Sequence, residues 1–285
     1  MKNQENIDKI LGQIKSIPAL SQIAEEALRI LNDKNSSKSD LVKIISKDQS
    51  FISKILTIAN SPIYGLRREV STMSFAVFIL GLREIKKVVF AIAFMQSFKM
   101  KRDKYFNPEN FWLHSFVTAN LSRKIAMDLD ITNSGEAFVV GFLHNFAVSV
   151  IHREFNREFI EIHTLAASGS TIESAERKIL GLTNTDIAEI VLENWGLPKI
   201  IIDTIKFQNN PSQAKVDKTL TSVVHLANYI TQALGVAKCD WEKDFQFDES
   251  VIEQLQFSSK ESLDKYIEPY EEYISEQIDS IRTLL

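Results

Sequence analysis

Residues 107–128 read NPENFWLHSFVTANLSRKIAMD, and the fold turns on how this stretch is read. Asn107 supplies an N-cap amide, Pro108 takes the first helical position, and Glu109 puts a carboxylate where the helix dipole favours one. A helix is expected from there to about Asp128.

Similar signals recur outward on both sides. Upstream, Ile10, Leu11, Ile14 and Ile17 keep helical spacing until Pro18, and Leu20, Ile23, Ala24, Ala27, Leu28, Ile30 and Leu31 form a second stripe. Ser37 and Asp40 make a capping-box start before Leu41, Ile44 and Ile45. Asp48 caps a helix through Phe51, Ile55 and Ala59, which Asn60-Ser61-Pro62 stops. A loop to Val70 leads to helices at 71–80, ended by Gly81, and at 84–98. The basic run Lys99 to Lys104 reads as a linker. Downstream, helices are expected at about 134–146, 151–168, 170–180, 186–194, 199–208 and 219–234. No stretch sustains strand alternation, so the fold class is all-α.

Apolar residues at 45% and charged residues at 25% suit a packed globular chain, and only 9 Gly and 6 Pro favour long helices. The longest apolar runs, such as Val88 to Met95, fall well short of the roughly 20 residues that span a bilayer. Cys239 is the single cysteine and no apolar leader precedes residue 20, so a reducing, cytoplasmic location is expected. A net charge of −4 offers no global attraction for nucleic acid or anionic membrane. That charge is uneven: residues 240–285 carry 13 acidic and 4 basic side chains, which marks an acidic, solvated helical tail.

Three blocks together resemble the HDOD family, a group of output domains related to the HD phosphohydrolases. The first is Ile17-Pro18-Ala19-Leu20. The second runs from Lys47-Asp48-Gln49-Ser50 through Ala59-Asn60-Ser61-Pro62-Ile63-Tyr64-Gly65-Leu66 to Leu80-Gly81-Leu82. The third joins Gly141-Phe142-Leu143-His144-Asn145, Trp195-Gly196-Leu197-Pro198 and Phe207-Gln208-Asn209-Asn210-Pro211. The resemblance implies an HDOD-type helical fold of two lobes over residues 13–212, with lobes at 13–98 and 105–235, the second like an HD-domain bundle. Residues 236–285 are left as a C-terminal extension.

HD hydrolases hold a divalent metal with one histidine, an adjacent His-Asp pair and a further aspartate, and the metal activates water against a phosphate ester. By resemblance these positions fall at His114, His144, Asn145 and Asn228. The positions of a second metal fall at Asn184, Gln208 and Asn209. An amide offers a cation a neutral carbonyl where a carboxylate brings full charge. The site is therefore expected to be vestigial, with no metal or cofactor. His114 and His144 are expected to be packed between helices and bonded to each other, to Asn145 or to Asn228.

His152 and His163 stand among charged neighbours and read as surface histidines, while His225 reads as core, one turn from Asn228. Cys239 has no visible activator. Arg67-Arg68, Lys86-Lys87 and Lys99 to Lys104 read as solvated faces rather than a phosphate patch. Phe51, Phe75, Phe78, Phe90, Phe94, Phe111, Phe116, Phe138 and Phe142 read as core.

The expected function is a non-catalytic bacterial signalling module that contacts a regulatory protein partner, with motility or stress regulation as the outputs the resemblance implies. Two alternatives stand beside it: a metal-dependent phosphohydrolase acting on a nucleotide, and a pocket that senses a nucleotide without cleaving it.

Overall fold

Every regular element among the described residues of the computed structural model is helical; these residues are 10–15, 17, 21–33, 35–46, 50–60, 66, 68–131, 134–237 and 239–282. The chain divides into two units. One comprises Ala19–Lys99 with Pro269–Leu285, the other Met1–Pro18 with Met100–Glu268. The upstream boundary coincides with the basic linker. The acidic stretch 236–285 is shared between the units, and its last helix, Tyr270–Arg282, belongs to the first.

In the first unit, α1 (Gln22–Asn32), α2 (Lys38–Ile45), α3 (Ser50–Ala59) and α4 (Met73–Leu80) all pack on α5 (Leu82–Ser97). The Ser37–Asp40 capping box forms as the sequence indicates, with Asp40 N donating to Ser37 Oγ at 3.3 Å and Ser37 N to Asp40 at 2.9 Å. Gly81 ends α4 with φ +79°, a conformation in which a side chain would be strained. Asn60 acts as a staple: its Nδ2 donates to Leu56 O and Val70 O, both at 2.9 Å, and its Oδ1 accepts from Val70 N. The Pro18-Ala19-Leu20 and Lys47-Asp48-Gln49 segments, Ser61 to Gly65 and Arg67 lie outside the described residues.

Two expectations fail in this unit. Lys86 and Lys87 are buried, because α5 is the helix the others surround; Lys86 Nζ reaches Asp33 O at the end of α1, where unpaired carbonyls attract a cation. Phe78, expected in the core, is 81% exposed, and Ile79 is exposed beside it. The helix MSFAVFIL is apolar on all sides, so its periodicity names no inward face, and packing buries Ala76 instead.

The second unit is built on α6 (Pro108–Asp128), whose Asn107 cap accepts from Glu109 N at 3.1 Å. It packs along α7 (Ser134–Leu143) and against α13 (Lys218–Ala233). Around them lie α8 (Phe146–Glu154), α9 (Asn156–Ala167), α10 (Ile172–Ile179), α11 (Asn184–Asn194) and α12 (Lys199–Phe207), followed by the short α14 (Ser250–Gln254) and α15 (Lys260–Ile267). Phe111, Phe142 and Phe146 are fully buried, each contributing about 2 kcal/mol of transfer free energy. Gly141 sets the approach of α6 to α7: a Cβ there would lie 2.6 Å from Ser122 Oγ and 2.8 Å from Ala119 Cα.

Helix boundaries in this unit differ from expectation where tertiary bonds compete with propensity. The helix expected to continue to Phe146 stops at Leu143 and restarts after Asn145, and Phe155 separates α8 from α9. His152 and His163 are buried, not surface-exposed. Residues 103–106, read as linker or its edge, fold over them: Phe106 stacks on His152 with ring centroids 4.2 Å apart, and Tyr105 on His163 at 5.2 Å. His152 Nε2 donates to Asp103 Oδ2 at 2.7 Å. The acidic segment is no solvated layer either, since Trp241, Val251 and Leu263 are buried in it. It is bonded to the bundle by Asp248 N to His225 Nε2 at 2.9 Å and Ile172 N to Asp244 Oδ2 at 2.7 Å.

Candidate functional site

The side chains of α6, of the α7–α8 break and of α13 meet in one buried polar cluster. His114 comes from the second turn of α6, His144 and Asn145 from the break, and Asn228 from the middle of α13. His114 Nε2 lies 3.2 Å from His144 Nε2 and 3.0 Å from Asn228 Oδ1, and Asn145 Nδ2 lies 2.9 Å from His144 Nε2. These four positions, separated by up to 114 residues, thus form one hydrogen-bonded network.

A fifth member enters from the acidic segment. Trp241, in the 3₁₀ turn Asp240–Glu242, packs against Phe106 and Phe111, with ring centroids 5.3 and 5.7 Å apart, and this anchor aims the next residue inward. The Glu242 side chain is 9% exposed, with Oε1 3.9 Å from His144 Nε2. Asn145 Nδ2 donates to it, Asn228 Nδ2 does so at 3.3 Å, and Gln232 Nε2 at 3.0 Å. The ligand atoms of His114, His144 and Glu242 all lie within 4.8 Å of one another.

The tautomers follow from the acceptors. His144 Nδ1 is 2.7 Å from Gly141 O, which can only accept, so Nδ1 carries the proton and Nε2 presents a lone pair. His114 Nε2 faces two acceptors and donates to both, leaving its buried Nδ1 without a partner. Burial holds His114 near a pKa of about 4, and burial with the neighbouring His114 holds His144 at about 3, so both rings are neutral near pH 7. Burial pushes Glu242 up to about 7 against the three amide donors, which favour its charged form.

Two imidazole nitrogens, one carboxylate and an amide carbonyl suit a single cation of borderline hardness. They do not suit a second. Asn184 gives its Nδ2 to buried Glu176 at 3.1 Å, and Gln208 Nε2 donates to His144 O at 2.5 Å. Asn209 lies apart, on the wall of a cleft of about 270 Å³ that opens over Glu242. Glu173, Asn184, Asn210 and Asp244 also line that cleft, which holds three carboxylates and no lysine or arginine. His225 is core, with Nδ1 2.7 Å from Gln208 O. Burial and the nearby Glu242 and Asp240 push the Cys239 thiol far up, away from reactivity.

Reading the sequence by position missed Glu242, because it lies beyond the region of resemblance. The signal that could have found it is Trp241, a large aromatic set among acids, which marks where an acidic segment must bury itself.

The model of the HDOD domain matches residues 17–211. An HDOD domain protein of unknown function from Geobacter sulfurreducens shares the fold with a TM-score of 0.81, at 20% identity over 98% of this chain and 99% of that one. A Shewanella amazonensis structure named "Putative phosphohydrolase" gives 0.76 at 22% identity, covering 97% of both chains. A Marinobacter aquaeolei structure named "Putative signal transduction protein" gives 0.76 at 20% identity over 99% of this chain and 64% of that one. Among curated sequences, an uncharacterized Treponema pallidum protein is 23% identical over 222 residues. Those residues make up 77% of this chain but only 43% of the relative's length. No helix among the described residues is long and apolar enough to cross a membrane.

Proposed function

The chain belongs to the HDOD family, and on that premise we propose that it is a non-catalytic signal-transduction module acting through contacts with a regulatory protein. The observation that carries this reading is the charge of the cleft that opens over Glu242. A phosphate ester entering that cleft would meet Glu173, Glu242 and Asp244, and no lysine or arginine lines it to receive the anion. The same carboxylates weigh against a nucleotide-sensing pocket. Hydrolysis of the HD kind also requires a position left open for water, and here Glu242 and the amides surround the two imidazoles.

The exposed Phe78 and Ile79 on α4 offer a protein partner an apolar contact. The purified chain is expected to leave nucleoside mono-, di- and triphosphates intact in the presence of Mn²⁺, Mg²⁺ or Zn²⁺. Turnover that disappears in His144→Ala would sink the proposal. Capture of a partner from a bacterial extract is expected to weaken with Phe78→Ser, while stability stays within about 0.5 kcal/mol, as for other surface substitutions.

A further inference from the structure

A carboxylate taken out of water needs a positive charge beside it or must surrender its own. The Glu242 side chain is 9% exposed, and its only ion-pair contact among the described residues is the His144 ring. Three amide N–H groups support it, but they bring partial charges only. Directly in front of it, the lone pair of His144 Nε2 and the carbonyl oxygen of Asn228 converge on His114 Nε2. The His114 Nε2 proton, shared between these two acceptors, and the Asn145 amide on His144 Nε2 are what hold them now.

We propose that His114 Nε2, His144 Nε2, a Glu242 carboxylate oxygen and Asn228 Oδ1 bind one zinc-class divalent cation in a closed, structural site. The neighbouring separations of 3.0, 3.2 and 3.9 Å bracket the edge of about 3.4 Å that a tetrahedron with bonds of about 2.1 Å has. The bond from His144 Nδ1 to Gly141 O fixes the ring with Nε2 inward, the support that metal-ligating imidazoles use. Asn228 already turns its oxygen to the histidine and its nitrogen to Glu242, so it ligates with one atom and steadies a second ligand with the other. Asn145 gives up its bond to His144 Nε2 and keeps the one to Glu242, and His114 carries its proton on Nδ1 instead of Nε2 so that Nε2 can ligate. Four protein donors leave no water position, so the cation ties the acidic segment to α6 and α13 without supporting hydrolysis. The anionic ligand comes from residue 242, beyond the family match at 17–211.

The test uses the full chain, stripped with a chelator and titrated with Co²⁺ and then Zn²⁺. One equivalent is expected to bind, with the strong visible absorption of four-coordinate Co²⁺, a rise in melting temperature and displacement by Zn²⁺. Glu242→Gln is expected to weaken binding by about 10-fold or more. His144→Ala is expected to abolish it, and His152→Ala to leave it unchanged. Failure to bind one equivalent, a weak six-coordinate Co²⁺ spectrum, or binding indifferent to Glu242→Gln and His144→Ala would overturn the proposal. Should the variants not fold, histidine ¹⁵N spectra of the unaltered chain decide. Zn²⁺ should move the Nε2 resonances of His114 and His144 while leaving those of His152, His163 and His225 in place, and any other pattern rejects the site. A negative result leaves the non-catalytic reading standing, since that rests on the cleft.

Discussion

The second unit contains two buried pairs of histidines, and they are built for different ends. His152 and His163 lie flat against Phe106 and Tyr105, with Phe159 set at an angle to both and a single polar tie from His152 to Asp103. His114 and His144 meet edge to edge, nitrogens toward each other, with amides and a carboxylate closing around them. Burial alone therefore says little about a histidine. What separates packing from chemistry is whether the nitrogens converge on a point or the rings stack on a face.

That contrast breaks most readily at Gly141. Gly141→Ala drives a methyl into Ser122 and the backbone of α6, and Gly141 O is the acceptor that orients His144. A loss of roughly 3 kcal/mol in urea denaturation is expected, at the upper end for overpacking. Spectra of the His144 ring should be perturbed while those of His152 are not.

Matched His→Phe substitutions sharpen the contrast. His114→Phe leaves Asn228 Oδ1 buried without the histidine donor and leaves His144 Nε2 with Asn145 Nδ2 alone, costing about 2 kcal/mol. His152→Phe keeps the stack on Phe106 and also removes the unpaired Nδ1. Asp103 stays bonded to Tyr105 N and Phe106 N and is partly open to water, so about 1 kcal/mol or less is expected. Equal losses in chemical denaturation would erase the distinction.

The smallest effect is in pH dependence. Burial lowers the His163 pKa from 6.5 to about 4, so the unfolded chain takes up the proton first. Its contribution is complete above about pH 6.5 and declines as the pH falls toward 4, the direction for a depressed histidine. His163→Phe keeps the contacts with Tyr105 and Phe159 and removes this decline. Between pH 7 and pH 4.5 the variant should lose less stability than the parent, by on the order of 1 kcal/mol. His114 and His144, shifted the same way, supply the limb that remains.

Local signals were legible where a bond closes within a few residues. Asn107-Pro108-Glu109, the Ser37–Asp40 box and the Gly81 stop are formed as their chemistry requires, because cap and partner lie in one turn. Phe78 and the lysines of α5 were not legible. In α4 every face is apolar, and in α5 the burial of Lys86 depends on where α1 ends. His152 and His163 read as surface because their covering rings come from residues 105 and 106, more than 40 positions away.

By itself, the sequence determined an all-helical chain, the order of its caps and stops, and the amides at positions 145 and 228, since each is a matter of residue type and near-neighbour spacing. Only the tertiary structure decided that Glu242 joins His114 and His144. That meeting depends on Trp241 finding a slot beside Phe106 and Phe111, and no local pattern encodes a contact that packing of the whole bundle creates.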